Sequence, residues 1–169
     1  LVLEPAHIAC QQPEVFEYLS PDEAISLNDG KISGVIRTVS DEQLEVEITK
    51  AKPTGSRLRG QRGINFPDSD IRLPGLTKTD EENLAFVAEH ADAVSLSFIR
   101  KPKDVEALLA ALDQLSADHL GLVIKVETNK GFKRLPKVML AAMRRYPVAV
   151  MIARGDLAVE CGWARLAEL

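Results

Sequence analysis

Three charged residues hold most of the chemical information in this sequence: Lys125, Glu127 and Asp156. Lys125 and Glu127 stand two apart at the end of Leu122-Val123-Ile124-Lys125-Val126-Glu127, an apolar run that reads as a strand. The period-two geometry of a strand sends both side chains to one side. Asp156 closes Ala153-Arg154-Gly155-Asp156, directly after a second apolar run, Val148-Ala149-Val150-Met151-Ile152. Gly155 lets backbone amides come close to a ligand. Two carboxylates held together in a cleft repel each other and are relieved by a proton or a divalent cation. Hard oxygen ligands in a pair, with room left for water and a substrate oxyanion, suit Mg²⁺ or Mn²⁺. Zinc is disfavoured, because no His or Cys stands beside these positions. A lysine next to such a metal adds a point charge, and the two together suit an anionic substrate whose charge moves during reaction, such as a phosphoryl or enolate group. Each signal alone is ordinary. A Lys-x-Glu on a strand is most often a surface ion pair, and an Arg-Gly-Asp triplet in isolation carries nothing.

Their spacing joins them. Beyond residue 75 the rhythm is α-β-α-β-α-β. Thr79 with Glu82 forms a capping box, and Leu84, Phe86, Val87 and Ala88 continue an apolar helical face. A strand follows over 93–98. Pro102 opens a second helix, with Val105, Leu108, Leu109, Leu112 and Leu115 at helical spacing. After the strand 122–126 comes a third helix with Leu135, Val138, Met139, Ala142 and Met143 on one face, then the strand 148–152. Apolar strands that read as buried on both faces, joined by helices, imply a parallel sheet with helical crossovers. Both an open doubly wound sheet and a (β/α)₈ barrel satisfy that order, and both bind ligands at the C-terminal ends of their strands. Ser97, Glu127 and Asp156 recur at intervals of 30 and 29 residues at such ends. A barrel of ~250 residues repeats about every 31, which favours a partial barrel of three βα units. Three parallel strands leave open edges and an uncovered apolar face.

Residues 1–66 read as short strands between turns, a partial β-rich module. Asn28-Asp29-Gly30 is a turn signal, and Leu44-Glu45-Val46-Glu47-Ile48 alternates as a strand with one wet face. Asp29 has either a plain turn role or an approach to the site when the module closes as a lid. The basic loop Arg57-Leu58-Arg59-Gly60-Gln61-Arg62 is either a phosphate patch or a solvated face. Residues 67–74, with proline at both ends, form an extended linker to the second half, 67–169. The 169 residues are 46% hydrophobic and 27% charged, the balance of a globular protein. A net charge of −4 argues against sequence-independent nucleic-acid binding. Cys10 and Cys161 read as reduced thiols of a cytosolic protein. No apolar run approaches the ~20 residues needed to cross a bilayer, and no charged-then-apolar leader opens the chain. It opens mid-pattern at Leu1-Val2-Leu3 and stops inside a helix-like stretch, so both ends read as cuts from a longer protein. His7, His90 and His119 show no catalytic pairing, and Trp163 reads as a helix-packing residue.

At these residues the chain resembles the pyruvate kinase family. Val150-Met151-Ile152-Ala153-Arg154-Gly155-Asp156-Leu157-Ala158-Val159-Glu160 is similar to that family's metal-binding strand end, and Ile124-Lys125-Val126-Glu127 with Gly131 to its catalytic-lysine signature. Ser97-Phe98-Ile99-Arg100-Lys101 looks like the preceding strand end. Asn28-Asp29-Gly30-Lys31-Ile32 and Gly63-Ile64-Asn65-Phe66-Pro67 look like parts of the mobile β-domain and its return into the barrel. The resemblance covers nearly the whole chain, with the motifs in order. It implies a partial (β/α)₈ barrel preceded by part of a small β-barrel domain. It implies that Lys125 stabilises the transferring phosphoryl group, that Glu127 and Asp156 hold the divalent metal, and that the backbone at Gly155 and Asp156 cradles the substrate carboxylate. Arg62 falls at a nucleotide-contacting position. The implied reaction moves a phosphoryl group from phosphoenolpyruvate to ADP, giving ATP and pyruvate, in a cytoplasmic homo-oligomer that uses Mg²⁺ and K⁺.

The chain departs from the family pattern in places. Thr128 stands where the family usually has Asn, Arg62 where it has Lys, and Cys161-Gly162-Trp163 replaces the usual continuation. Arg keeps the positive charge but not the geometry of Lys. The K⁺ ligands, a phosphate-binding arginine and a substrate-contacting threonine belong to segments outside 1–169, so this piece alone is expected to be inactive. Two alternatives stay open. One is a Mg²⁺-dependent enolpyruvate lyase or aldolase on a related barrel, which needs no inserted β-module. The other is a catalytically silent ligand-binding module.

Overall fold

The computed structural model describes residues 6–58, 60 and 62–168. Leu1, Val2 and Leu3 at the opening of the chain, and Arg59 and Gln61 of the basic loop, lie outside them. The first ordered element is a 3-10 helix, Pro13–Tyr18, whose proline suits a first turn and whose Val15 and Phe16 are buried. The expectation of strands alone in this half therefore needs correcting. Four antiparallel strands follow: β1 (Ala24–Leu27), β2 (Ile32–Val39), β3 (Leu44–Lys50) and β4 (Ile64–Asn65), in sheet order β3-β2-β1-β4. Asn28, Asp29 and Gly30 turn β1 into β2 with φ of 53°, 57° and 78°, a left-handed path that Asn, Asp and Gly adopt at least cost. Along β3, Leu44 and Val46 are half-buried while Glu45 and Glu47 face water; Ile48, the third apolar residue of the alternation, is exposed. Phe16, Ile25, Leu27, Ile32, Ile36 and Phe66 form the core of this half, and Ile71 and Leu73 of the linker pack against it.

The second half is built from parallel βα units. Helix α1 (Lys78–His90) leads to β5 (Ala93–Leu96), α2 (Pro102–Gln114) to β6 (Gly121–Val126), and two short helices, α3 (Asn129–Lys133) and α4 (Leu135–Ala142), to β7 (Val148–Ile152). The sheet order is β5-β6-β7, all parallel, with Leu96 opposite Ile124 and Val126 opposite Ile152. Helices α5 (Arg154–Cys161) and α6 (Trp163–Glu168) end the chain. Leu84, Val105, Leu108, Leu112, Leu122, Ile124 and Val138 form the shared core between helices and sheet. The predicted element order agrees with this arrangement, as do Val105, Leu108, Leu109 and Leu112 on the buried face of α2, whereas Leu115, just past the helix, is 40% exposed.

Five local expectations are corrected. The capping box of α1 is Thr77 with Asp80, not Thr79 with Glu82. Thr77 Oγ1 accepts from Asp80 N at 3.1 Å, and Thr77 N donates to Asp80 Oδ2 at 2.8 Å. Phe86 lies on the outer face of α1, stacked on His90 with ring centroids 4.2 Å apart. The third helix is broken at Arg134, where α3 ends and α4 restarts with Pro136 in its first turn, and Met143 just beyond it is exposed. Strand β7 is not buried on both faces. It is one edge of the sheet, and Val150, Met151 and Ile152 are 41%, 49% and 59% exposed; β5, the other edge, buries only Leu96. Trp163 is 74% exposed, so most of its ring faces water.

Candidate functional site

Strands β5 and β6 are registered so that Ser97 and Lys125 continue the pairing of Leu96 with Ile124. Lys125 Nζ donates to Ser97 Oγ at 2.9 Å and pairs with Glu127 Oε1 at 2.7 Å. The two-residue spacing thus puts ammonium and carboxylate on one side, as strand geometry requires. Glu127 is only 2% exposed. Leaving water costs a carboxylate several kcal/mol unless its oxygens find partners, and here both do, for Glu127 Oε2 accepts from Phe98 N. Phe98 presents that N–H by adopting φ of 51°, a left-handed conformation that a bulky residue rarely takes.

Thr128 caps α3 by accepting from Gly131 N at 2.9 Å. Gly131 is needed there: a Cβ on it would lie 2.3 Å from Ile99 O and 3.0 Å from Thr128 Oγ1. The loop after β5 and the helix after β6 therefore lock together around Glu127.

At the end of β7, α5 begins at once, so Gly155 and Asp156 occupy a helical first turn rather than a loop. No side chain caps this helix, and its first intrahelical bond runs from Leu157 N to Ala153 O. Among the described residues nothing accepts from the amides of Arg154, Gly155 and Asp156, which is the arrangement by which a helix N-terminus meets an anion. The space where a Gly155 Cβ would sit is open. Among the described residues no ion pair engages Asp156. Four residues on, Glu160 is half-buried and its Oε2 accepts from Asn129 N at 3.4 Å. Burial pushes the Glu160 carboxyl up to about 7, with the Asp156 and Asp68 charges adding to the rise; the Asn129 N–H and Lys130 oppose it.

Residues 67–74 run past these strand ends and are held there. Arg100 donates to Ile71 O at 2.7 Å and to Leu73 O at 2.5 Å. Lys130 pairs with Asp70, which also meets Arg72 at 2.9 Å, and these partners hold the Asp70 carboxyl below its ordinary range. Gly30 of the β1–β2 turn reaches α5, its Cβ position lying 3.4 Å from Val159 Cγ2. Arg62 is exposed, two residues before β4. Among the described residues no cluster of three or more His, Cys, Asp or Glu side chains surrounds a metal position.

Sequence reasoning singled out Lys125, Glu127 and Asp156 and took no account of the contacts made by the Ser97 hydroxyl, the Phe98 amide and Glu160. The Ser97 contact follows from strand register, which no local pattern carries. Glu160 left a trace in its placement one helical turn after Asp156.

Parallel strands with a lysine, a buried glutamate and a free helix N-terminus at their C-terminal edge define an α/β protein equipped for an anionic ligand. Comparison with known proteins narrows the class. The family model for the pyruvate kinase barrel domain matches residues 3–168. Pyruvate kinase PKLR of Homo sapiens is 32% identical over 149 residues, covering 88% of this chain and 24% of that protein. The pyruvate kinases of Geobacillus stearothermophilus and Clostridium perfringens are each 29% identical, over 92% and 87% of the chain and 26% and 29% of their own lengths. The chain belongs to the pyruvate kinase family, and it spans about a quarter of the length of these curated relatives. No described helix is long and apolar enough to cross a membrane.

Proposed function

We propose that the whole protein transfers a phosphoryl group from phosphoenolpyruvate to ADP. The phosphorus–oxygen bond to the enol breaks, a bond to the terminal oxygen of ADP forms, and the enolate takes a proton to give pyruvate. The observation that carries the reading is the pairing of Lys125 with Glu127 at the C-terminal edge of a parallel sheet, one strand from the free amides of α5. In this reading Lys125 holds the transferring phosphoryl group, while the amides of Gly155 and Asp156 bind the substrate carboxylate. Arg62 brings positive charge to the nucleotide from the β-rich half.

Glu127 and Asp156 would hold Mg²⁺ or Mn²⁺. Two carboxylates just past neighbouring strand ends fit a cation that keeps several waters and takes substrate oxygens as further ligands. When bound, the metal neutralises charge on the phosphoryl and enolate oxygens. Around it, Phe98 N and Lys125 Nζ fix the Glu127 carboxylate, and the Lys125 ammonium is shared between that carboxylate and Ser97. A bound phosphoryl group would compete for the same ammonium, so Lys125 is positioned to turn from a structural pair to a substrate contact.

Residues 1–66 act here as part of a lid and 67–169 as part of a (β/α)₈ barrel. The β-rich half favours the kinase over a lyase on a bare barrel. The same reading makes the whole protein a cytoplasmic homo-oligomer that also needs K⁺, with the K⁺ ligands outside 1–169, so that these residues alone do not turn over. Purified whole protein should produce pyruvate from phosphoenolpyruvate only when ADP, Mg²⁺ and K⁺ are all present. An absence of ADP-dependent turnover under those conditions would refute the assignment.

A further inference from the structure

Glu160 has no part in the chemistry just described, yet it is half-buried and spans two elements that each carry a site residue. It stands in α5, one helical turn beyond Asp156, and its carboxylate reaches across to the first amide of α3, Asn129 N, at 3.4 Å. Asn129 follows Glu127 by two residues. Helix α3 has only five residues, too short to be stable on its own. Its early amides therefore need outside partners. Thr128 Oγ1 takes Gly131 N, and Glu160 takes Asn129 N from the neighbouring unit. Lys130, next along α3, also bears electrostatically on Glu160.

We propose that Glu160 is a positioning residue: by accepting the Asn129 amide it fixes the strand end bearing Glu127 against the helix bearing Asp156, and so sets the separation of the two carboxylates. The inference rests on the reading of Glu127 and Asp156 as metal ligands. It makes the acceptor oxygen, not the negative charge, the working part of the side chain.

That distinction gives the test, made in the whole protein by titrating Mn²⁺ without substrate and following free Mn²⁺ by electron paramagnetic resonance. Glu160→Leu keeps the bulk but removes the acceptor, and should weaken Mn²⁺ binding by about tenfold or more, the usual loss when a partner supporting a metal ligand is removed. Glu160→Gln keeps an acceptor and should restore affinity to within about twofold of wild type. Asn129→Pro removes the donor instead. Proline is favoured at the first helical position, and Thr128 before it is already extended at φ −119° and ψ 150°. This variant should reproduce the Glu160→Leu loss, and the double variant should bind no worse than either single one, because both remove the same contact. The Asn129→Pro arm keeps the proposal testable if Glu160→Leu does not fold. Wild-type Mn²⁺ affinity in a folded Glu160→Leu or Asn129→Pro protein overturns the proposal. So does a Glu160→Gln loss as large as that of Leu, which would assign the role to charge. A wild-type protein that binds no Mn²⁺ instead overturns the metal reading itself, an outcome distinct from equal binding by all forms.

Discussion

The Lys125 ammonium has two neighbours of different kinds, a carboxylate at 2.7 Å and a hydroxyl at 2.9 Å. In the proposed reading, Met in its place removes the charge that would meet the phosphoryl group, along with one of the two groups that fix the Glu127 carboxylate. Lys125→Met should lower turnover of phosphoenolpyruvate by about 10²–10³-fold, the scale for losing one electrostatic stabiliser. Steady-state kinetics of the whole protein checks this, and unchanged turnover removes Lys125 from the mechanism. Glu160 makes a second prediction at this scale. Its folded-state carboxyl titrates near 7, above the ordinary 4.5. Between those values the folded chain holds a proton that the unfolded chain has released. This contribution to stability is therefore fully present below pH 4.5 and is lost as pH rises through 7. Urea midpoints measured from pH 5 to 8 should fall for wild type more steeply than for Glu160→Gln, and parallel curves would contradict the assigned burial.

Among the elements, α3 is the most tightly constrained. A methyl group on Gly131 would press on the backbone oxygen of Ile99 at 2.3 Å and lie 3.0 Å from the Thr128 hydroxyl that caps the helix. Gly131→Ala should cost about 1–3 kcal/mol in denaturant unfolding, despite the gain in helix propensity that the change brings elsewhere. A stability equal to wild type would mean that α3 can slide. How much of this was readable beforehand differs by element. Apolar runs located β5, β6 and β7, as the continuous apolar stretches of parallel strands, but only β6, the central strand, is buried along most of its length. The start of α1 was misplaced because Thr77 with Asp80 and Thr79 with Glu82 have equivalent local chemistry. Phe86, Met143 and Trp163 continue helical periodicity but face water, since periodicity names a face without naming what covers it. The Lys125–Glu127 pair was legible from a two-residue spacing, whereas the Phe98 amide depends on a left-handed backbone that sequence assigns by default to glycine.

For the molecule as a whole, the joint between the two halves is a short stretch of backbone held by side chains. Arg100 grips the carbonyls of Ile71 and Leu73 from the loop that follows β5. Arg100→Ala should leave both cores folded but make residues 67–74 a site of faster limited proteolysis, and an unchanged cleavage rate would show that packing of Ile71 and Leu73 suffices. The outer rim of the parallel sheet carries a different consequence. Among the described residues no strand pairs with the outer side of β7, which is flanked by the apolar side chains of Val150, Met151 and Ile152. Such a rim is a template for another copy's strand, so residues 1–169 prepared alone should form larger species as concentration rises, visible by light scattering. A lysine at position 151 would interrupt that growth without disturbing the interior, and scattering from Met151→Lys that matched the parent chain would place the adhesive surface elsewhere.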